Sequence, residues 1–107
     1  DSQKTPPVFV YPGKMSSVVV KPAGNMLSLK CTSSGSPAPN VTWYKNNKTP
    51  QRKLGEIRDH GSITMEDLTV EDTGNYTCIV CNELGCIQHT YFLEVTSKCL
   101  MFFFVVI

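Results

Sequence analysis

The stretch EDTGNYTCIVCNELGC, Glu71 to Cys86, places three cysteines (Cys78, Cys81 and Cys86) within nine residues. Cysteines this close serve a metal site, a redox dithiol, or disulfides in a small oxidised domain. The pattern around them decides first. NYTCIVC alternates, with Tyr76, Cys78 and Val80 on one face, as in a half-buried strand. NELG reads as a hairpin loop, and CIQHTYFLEV returns with Tyr91, Leu93 and Val95 inward.

The rest of the chain reads the same way, with turn residues every eight to twelve positions and no helical period. PPVFVYPG is a short apolar run cut by prolines, suited to a sheet edge. SSVVVKPAGN is a second edge piece ending in the turn Pro22-Ala23-Gly24-Asn25. In MLSLKC, Leu27, Leu29 and Cys31 share a face. TSSGSPAPN reads as a loop. VTWYK puts Val41 and Trp43 on one face. NNKTPQRKLGEIRDHG is polar and turn-rich, reading as a loop around one short strand, and SITMEDL offers Ile63, Met65 and Leu68 to a core. Seven to nine short strands in a chain of 107 residues predict a β-sandwich in a single domain.

Long-range order comes from Cys31, Trp43 and Cys78. Trp43 follows Cys31 by twelve residues, the spacing that lets an indole on the next strand pack against a bridge between sheets. Two unrelated buried thiols are the alternative. A bridge closing this loop contributes about 4 kcal/mol in the chain-entropy account, which is disputed. If Cys78 is committed to Cys31, then Cys81, three residues on, faces outward, and so does Cys86. They stand at the two feet of the hairpin loop, where directly opposed residues have close Cβ atoms. A second bridge, Cys81–Cys86, is expected, with two reduced thiols as the alternative. It stiffens a hairpin rather than holding the fold. No zinc site is expected, because the pair has no second pair of ligands, and no activating base or helix N-terminus marks a redox dithiol. Cys99 is left over, free or intermolecular.

Composition bounds the function. The net charge is +1, so no basic face for nucleic acid is expected. Five cysteines and three acceptor sequons, at Asn40, Asn47 and Asn75, point to an oxidising compartment and to a glycoprotein. Asn47 reads as the most accessible, because Asn75 is partly built into a turn. His60 and His89 are the only histidines, with no nucleophile arrangement, phosphate loop or metal cluster beside them, so no enzyme, cofactor or metal is expected. No leader-like stretch opens the chain, which reads as mature or excised. Residues 1–98 are expected to form the domain. Residues 99–107, CLMFFFVVI, are an atypical apolar tail, too short for the ~20 residues a bilayer requires. It reads as a packed strand, the beginning of a membrane anchor, or an atypical terminus.

The stretch Asp72-Thr73-Gly74-Asn75-Tyr76-Thr77-Cys78 resembles the D-x-G-x-Y-x-C signature of immunoglobulin domains. Gly74 permits a tight turn, and Tyr76 stands where a tyrosine corner bonds its hydroxyl to upstream backbone. Asp72 is the expected partner of a basic residue, with Arg58 as the candidate. The implied fold is an all-β, immunoglobulin-like (I-set) β-sandwich with Greek-key topology. GNYTCIVCNELGCIQHTYFLEV, together with PVFVYPGKM, KPAGN and WYKNNK, resembles the second extracellular immunoglobulin domain of fibroblast growth factor receptors. The two outward cysteines replace a Glu and a Ser of the vertebrate pattern, which suggests an invertebrate member.

That resemblance implies a growth-factor-binding module on the extracellular part of a plasma-membrane receptor, or a secreted one. Growth-factor contact would fall on Val18, Val20 and Pro22 of the edge strand, with Thr96 and Lys98 at the linker. Alternation puts Val19 opposite Val18 and Val20, so one set must face inward. The family's heparan sulfate ridge maps onto Lys14 and Lys30. Other basic positions of the ridge are Ser16, Ser17 and Ser28 here, and Lys21, Lys45, Lys48, Arg52 and Lys53 offer compensating charge. Any kinase of the parent receptor lies elsewhere in the molecule. The alternative reading is an adhesive or structural immunoglobulin domain.

Overall fold

The computed structural model describes residues 3–50, 57 and 61–97. Among these are eight strands: β1 (Thr5–Phe9), β2 (Val18–Pro22), β3 (Leu27–Leu29), β4 (Ser33–Ser36), β5 (Asn40–Lys45), β6 (Ile63–Met65), β7 (Gly74–Asn82) and β8 (Gly85–Thr96). The only helical turns among them are short 3-10 pieces, Pro12–Lys14 and Val70–Asp72. Four strands form one sheet in the order β2-β8-β7-β5, while β1 pairs β4 and β3 pairs β6. β2 runs parallel to β8, and every other pairing is antiparallel.

The core is the set of residues that period-2 alternation turns inward. Leu27, Leu29, Ile63, Met65 and Leu68 meet Trp43, Tyr76, Cys78, Tyr91, Leu93 and Val95 in one buried cluster. Cys31, between β3 and β4, is bonded to Cys78 on β7, and both are 0% exposed. The bridge therefore joins the β3–β6 side to the four-stranded sheet. Trp43 is the cross-strand partner of Cys78. Its indole N–H donates to the Gly61 carbonyl at 3.0 Å, and its ring stacks on Tyr91 with centroids 6.4 Å apart. Gly61 must be glycine: its φ is +143°, and a Cβ there would collide with the Cys31 carbonyl.

Local chemistry sets the boundaries. Asn46 and Asn47 both have positive φ (52° and 65°), as the tight turn after β5 requires, and Lys45 and Lys48 exchange backbone hydrogen bonds across it. The Thr69 N–H donates to the Asp72 carboxylate at 2.8 Å, capping the 3-10 turn, and the Tyr76 hydroxyl donates to the Asp72 carbonyl at 2.6 Å. That second bond is the tyrosine corner. Arg58, expected beside Asp72, lies outside the described residues.

One expectation is corrected. Residues 33–36 were expected to be loop and form β4 instead. They are small and polar, so no apolar alternation marks them. They extend because they pair with β1, and Gly35 packs closely against Pro7 backbone.

Candidate surface for a protein partner

The edge of the four-stranded sheet is where the sequence left two possibilities open, and register resolves them. Leu93 and Val95 on β8 point into the core, so their partners Val19 and Lys21 share the inner face. Val18 and Val20, paired with Phe92 and Glu94, therefore stand on the outer face. Their exposures are 60% and 56%, and Phe92 beside Val18 is 38% exposed. Three large apolar side chains thus crowd one outer edge. Pro22 and Thr96 close the same ladder half-buried, and the Thr96 carbonyl accepts the Ala23 N–H at 2.8 Å. Lys98 lies outside the described residues.

Phe92 was missed by the sequence reading. The signal was present: placing Tyr91, Leu93 and Val95 inward forces Phe92 outward. An exposed aromatic next to two exposed valines is the kind of patch that protein partners cover.

The remaining outer face follows from the register in rows. Val18, Phe92 and Asn75 form one row, then Thr90, Thr77 and Tyr44, then Gln88, Ile79 and Thr42, and last Cys86, Cys81 and Asn40. Cys81 and Cys86 are bonded, with Cα atoms 4.1 Å apart. The Thr77 and Thr90 hydroxyls are hydrogen-bonded at 2.8 Å. Asn40 and Asn75 are both exposed on this face, while Asn47 is exposed in the turn after β5. Asn75 has its N–H bonded to the Asn46 side chain at 2.9 Å and its carbonyl to the Asn46 N–H, so only backbone is engaged in the turn.

The basic residues are dispersed. Lys14 precedes β2 and lies over the Tyr11 ring at 5.6 Å. Lys21 is half-buried on β2, and Lys30 is exposed in the facing layer, its carbonyl accepting the Tyr91 hydroxyl. Lys45 and Lys48 belong to the β5 edge, on the far side of β8 and β7. Three interstrand spacings amount to about 14 Å. Lys45 is also engaged by structure, donating to the Glu71 carbonyl and lying over the Tyr76 ring. Arg52 and Lys53 lie outside the described residues. Among the described residues no group of three or more His, Cys, Asp or Glu is placed to hold a metal ion.

A two-layer sandwich cross-linked through a buried cystine, braced by one indole and a tyrosine corner, defines a class. Residues 6–82 match the model of the immunoglobulin domain, and the chain belongs to that family. It is homologous to fibroblast growth factor receptor homolog 1 of Drosophila melanogaster, with 47% identity over 85 residues, covering 78% of this chain and 12% of that protein. It is also similar to fibroblast growth factor receptor-like 1 of Gallus gallus, with 39% identity over 95 residues, 86% of this chain and 20% of that one. The chain thus spans no more than a fifth of the length of these relatives. Among solved structures, Sidekick-1 immunoglobulin domains 1-4 superpose with a TM-score of 0.78 at 26% identity, covering 87% of this chain and 25% of that one. The insect immune protein hemolin superposes at 0.77, also with 26% identity, over 87% of this chain and 23% of its own.

Proposed function

We propose that this domain is the extracellular growth-factor-binding module of a fibroblast growth factor receptor-like protein, and that the partner is received on the β2–β8 edge. The observation that carries this reading is the apolar cluster Val18, Val20 and Phe92, exposed on a sheet edge in a chain homologous to such a receptor. Pro22 and Thr96 extend the surface, and Lys98 continues it in sequence. The glycans expected at Asn40, Asn47 and Asn75 belong to this extracellular reading. Heparan sulfate is the second partner, met by Lys14 and Lys21 beside the β2 edge and by Lys30 from the facing layer. Lys45, Lys48, Arg52 and Lys53 contribute longer-range charge only.

Titration with fibroblast growth factors tests the reading. Saturable binding is expected, weakened about 30-fold or more by Val18→Asp or Val20→Asp if these are central contacts. The melting temperature should change little, because both side chains are already in water. Absence of saturable binding sinks the reading. Self-association that the same substitutions abolish, with no growth-factor response, supports an adhesive domain instead.

A further inference from the structure

The two cystines of this domain differ in access, one of the properties that set the rate of reaction with an external thiol. Cys31 and Cys78 are both 0% exposed, in the core cluster that also holds Trp43, Tyr76 and Leu29. Cys86 is exposed and Cys81 half-exposed, on the outer face at the end of the sheet opposite the apolar patch. The outer bridge is also mechanically spare. The hairpin it crosses is already closed by the Asn82–Gly85 pair around a two-residue loop, and the Leu84 N–H donates to the Asn82 side chain at 2.9 Å. The Asn82 side-chain amide further ties this end to the Thr5 and Pro37 carbonyls at 2.8 and 3.1 Å. Nine register pairs hold β7 against β8 from Gly74 to Asn82. The β7–β8 register is therefore expected to survive loss of the S–S bond.

From this we infer that Cys81–Cys86 is a thiol-exchange site, a place where an extracellular monothiol or dithiol modifies the folded domain reversibly while Cys31–Cys78 stays closed. The protein needs no base or helix N-terminus for this, because it supplies the electrophile and the attacking thiolate comes from outside. The thiolate attacks the sulfur of Cys86, the more exposed residue of the two. The S–S bond breaks, its electron pair leaves on the Cys81 sulfur, and that sulfur takes a proton from solvent. The product is a mixed disulfide at Cys86 and a thiol at Cys81. A second external thiolate attacks the outer sulfur of the mixed disulfide and releases Cys86, which is protonated in turn. The net change is reduction of one protein cystine to two thiols and oxidation of two external thiols to one disulfide. Asn40 lies next to Cys81 in the same row, so a glycan on this sequon would stand beside the exchanging pair.

This site is independent of the proposed growth-factor edge. Six residues of extended β8 separate Cys86 from Phe92, roughly 20 Å.

The test uses the folded, oxidised chain with Cys99 alkylated in advance. It is exposed to graded reduced glutathione, quenched with N-ethylmaleimide and mapped by mass spectrometry. Cys81 and Cys86 should acquire glutathione or maleimide first, with near-native circular dichroism. Cys31 and Cys78 should lag by a factor on the order of 10³ or more, since their reaction waits for opening of the core. The double variant Cys81→Ser with Cys86→Ser should fold and lose the fast uptake. Labelling of all four cysteines at one rate overturns the inference. So does an unlabelled Cys81–Cys86 pair at thiol concentrations that reduce the chain in denaturant.

Discussion

The interior cystine and the hairpin cystine are the same covalent bond in two mechanical settings. Cys31 and Cys78 are 47 residues apart in sequence and join two layers of a sandwich, whereas Cys81 and Cys86 are 5 apart and cross a hairpin that its own backbone already closes. In the chain-entropy account the first restrains the unfolded chain by about 4 kcal/mol and the second by about 2 kcal/mol at most. Burial sharpens the difference. The inner cysteines are fully buried in a core packed to crystal-like density, whereas Cys86 is exposed and Cys81 half-buried. Stability and reactivity are thereby assigned to different bonds of one small domain.

Removing the inner bridge is expected to have the largest effect. Cys31→Ala with Cys78→Ala should cost about 4 kcal/mol or more, most of the stability of a domain this size. Urea denaturation should show a midpoint far below that of the parent. If the double variant melts within a few degrees of the parent, the assignment of stability to this bond is wrong.

Removing the outer bridge should do much less. Cys81→Ser with Cys86→Ser is expected to lower stability by no more than about 2 kcal/mol. The denaturant m-value should be unchanged if the denatured ensemble stays as open. An effect equal to that of the inner pair would erase the contrast.

Tyr76 tests what surrounds the inner bridge from the same strand. Its hydroxyl reaches back to the Asp72 carbonyl from a side chain that is otherwise in the core. Tyr76→Phe keeps the ring and deletes this bond, so a loss of about 1 kcal/mol is expected from a thermal melt. No measurable loss would mean that the tyrosine corner does not help hold β7 in place.

The legibility of these regions from sequence differs for physical reasons. The interior was legible because burial imposes a period of two. Leu27, Leu29, Ile63, Met65, Tyr76, Val80, Tyr91, Leu93 and Val95 were placed inward, and all are buried. β4 was not legible, because Ser33–Ser36 extend through pairing with β1 and present no apolar face. The facing of Val18 and Val20 was undecidable within β2 alone. It is set by the parallel register with β8, a non-local fact. Phe92 escaped because the alternation was applied only to the buried half of β8. The dispersal of Lys14, Lys21 and Lys45 over opposite sheet edges depends on strand order, which composition does not carry.

The smallest expected effect concerns how dry the surroundings of the inner bridge are. Tyr91 stacks on Trp43, the cross-strand neighbour of Cys78, and burial pushes its phenol above the ordinary value of 10.0. An acid with a raised folded pKa favours the native state fully while both states are neutral. As pH rises past about 10 the unfolded chain ionises first, so stability is lost until the folded phenol ionises as well. The parent should therefore lose stability relative to Tyr91→Phe as pH climbs above about 10, with the difference flat at lower pH. The other tyrosines and the lysines titrate in both chains and cancel. Parallel stability curves would indicate that water reaches this ring easily, and with it the argument that dryness protects Cys31–Cys78 from external thiols would weaken. Diverging curves would tie the slow reduction of the inner cystine to the same exclusion of solvent that holds the phenol neutral.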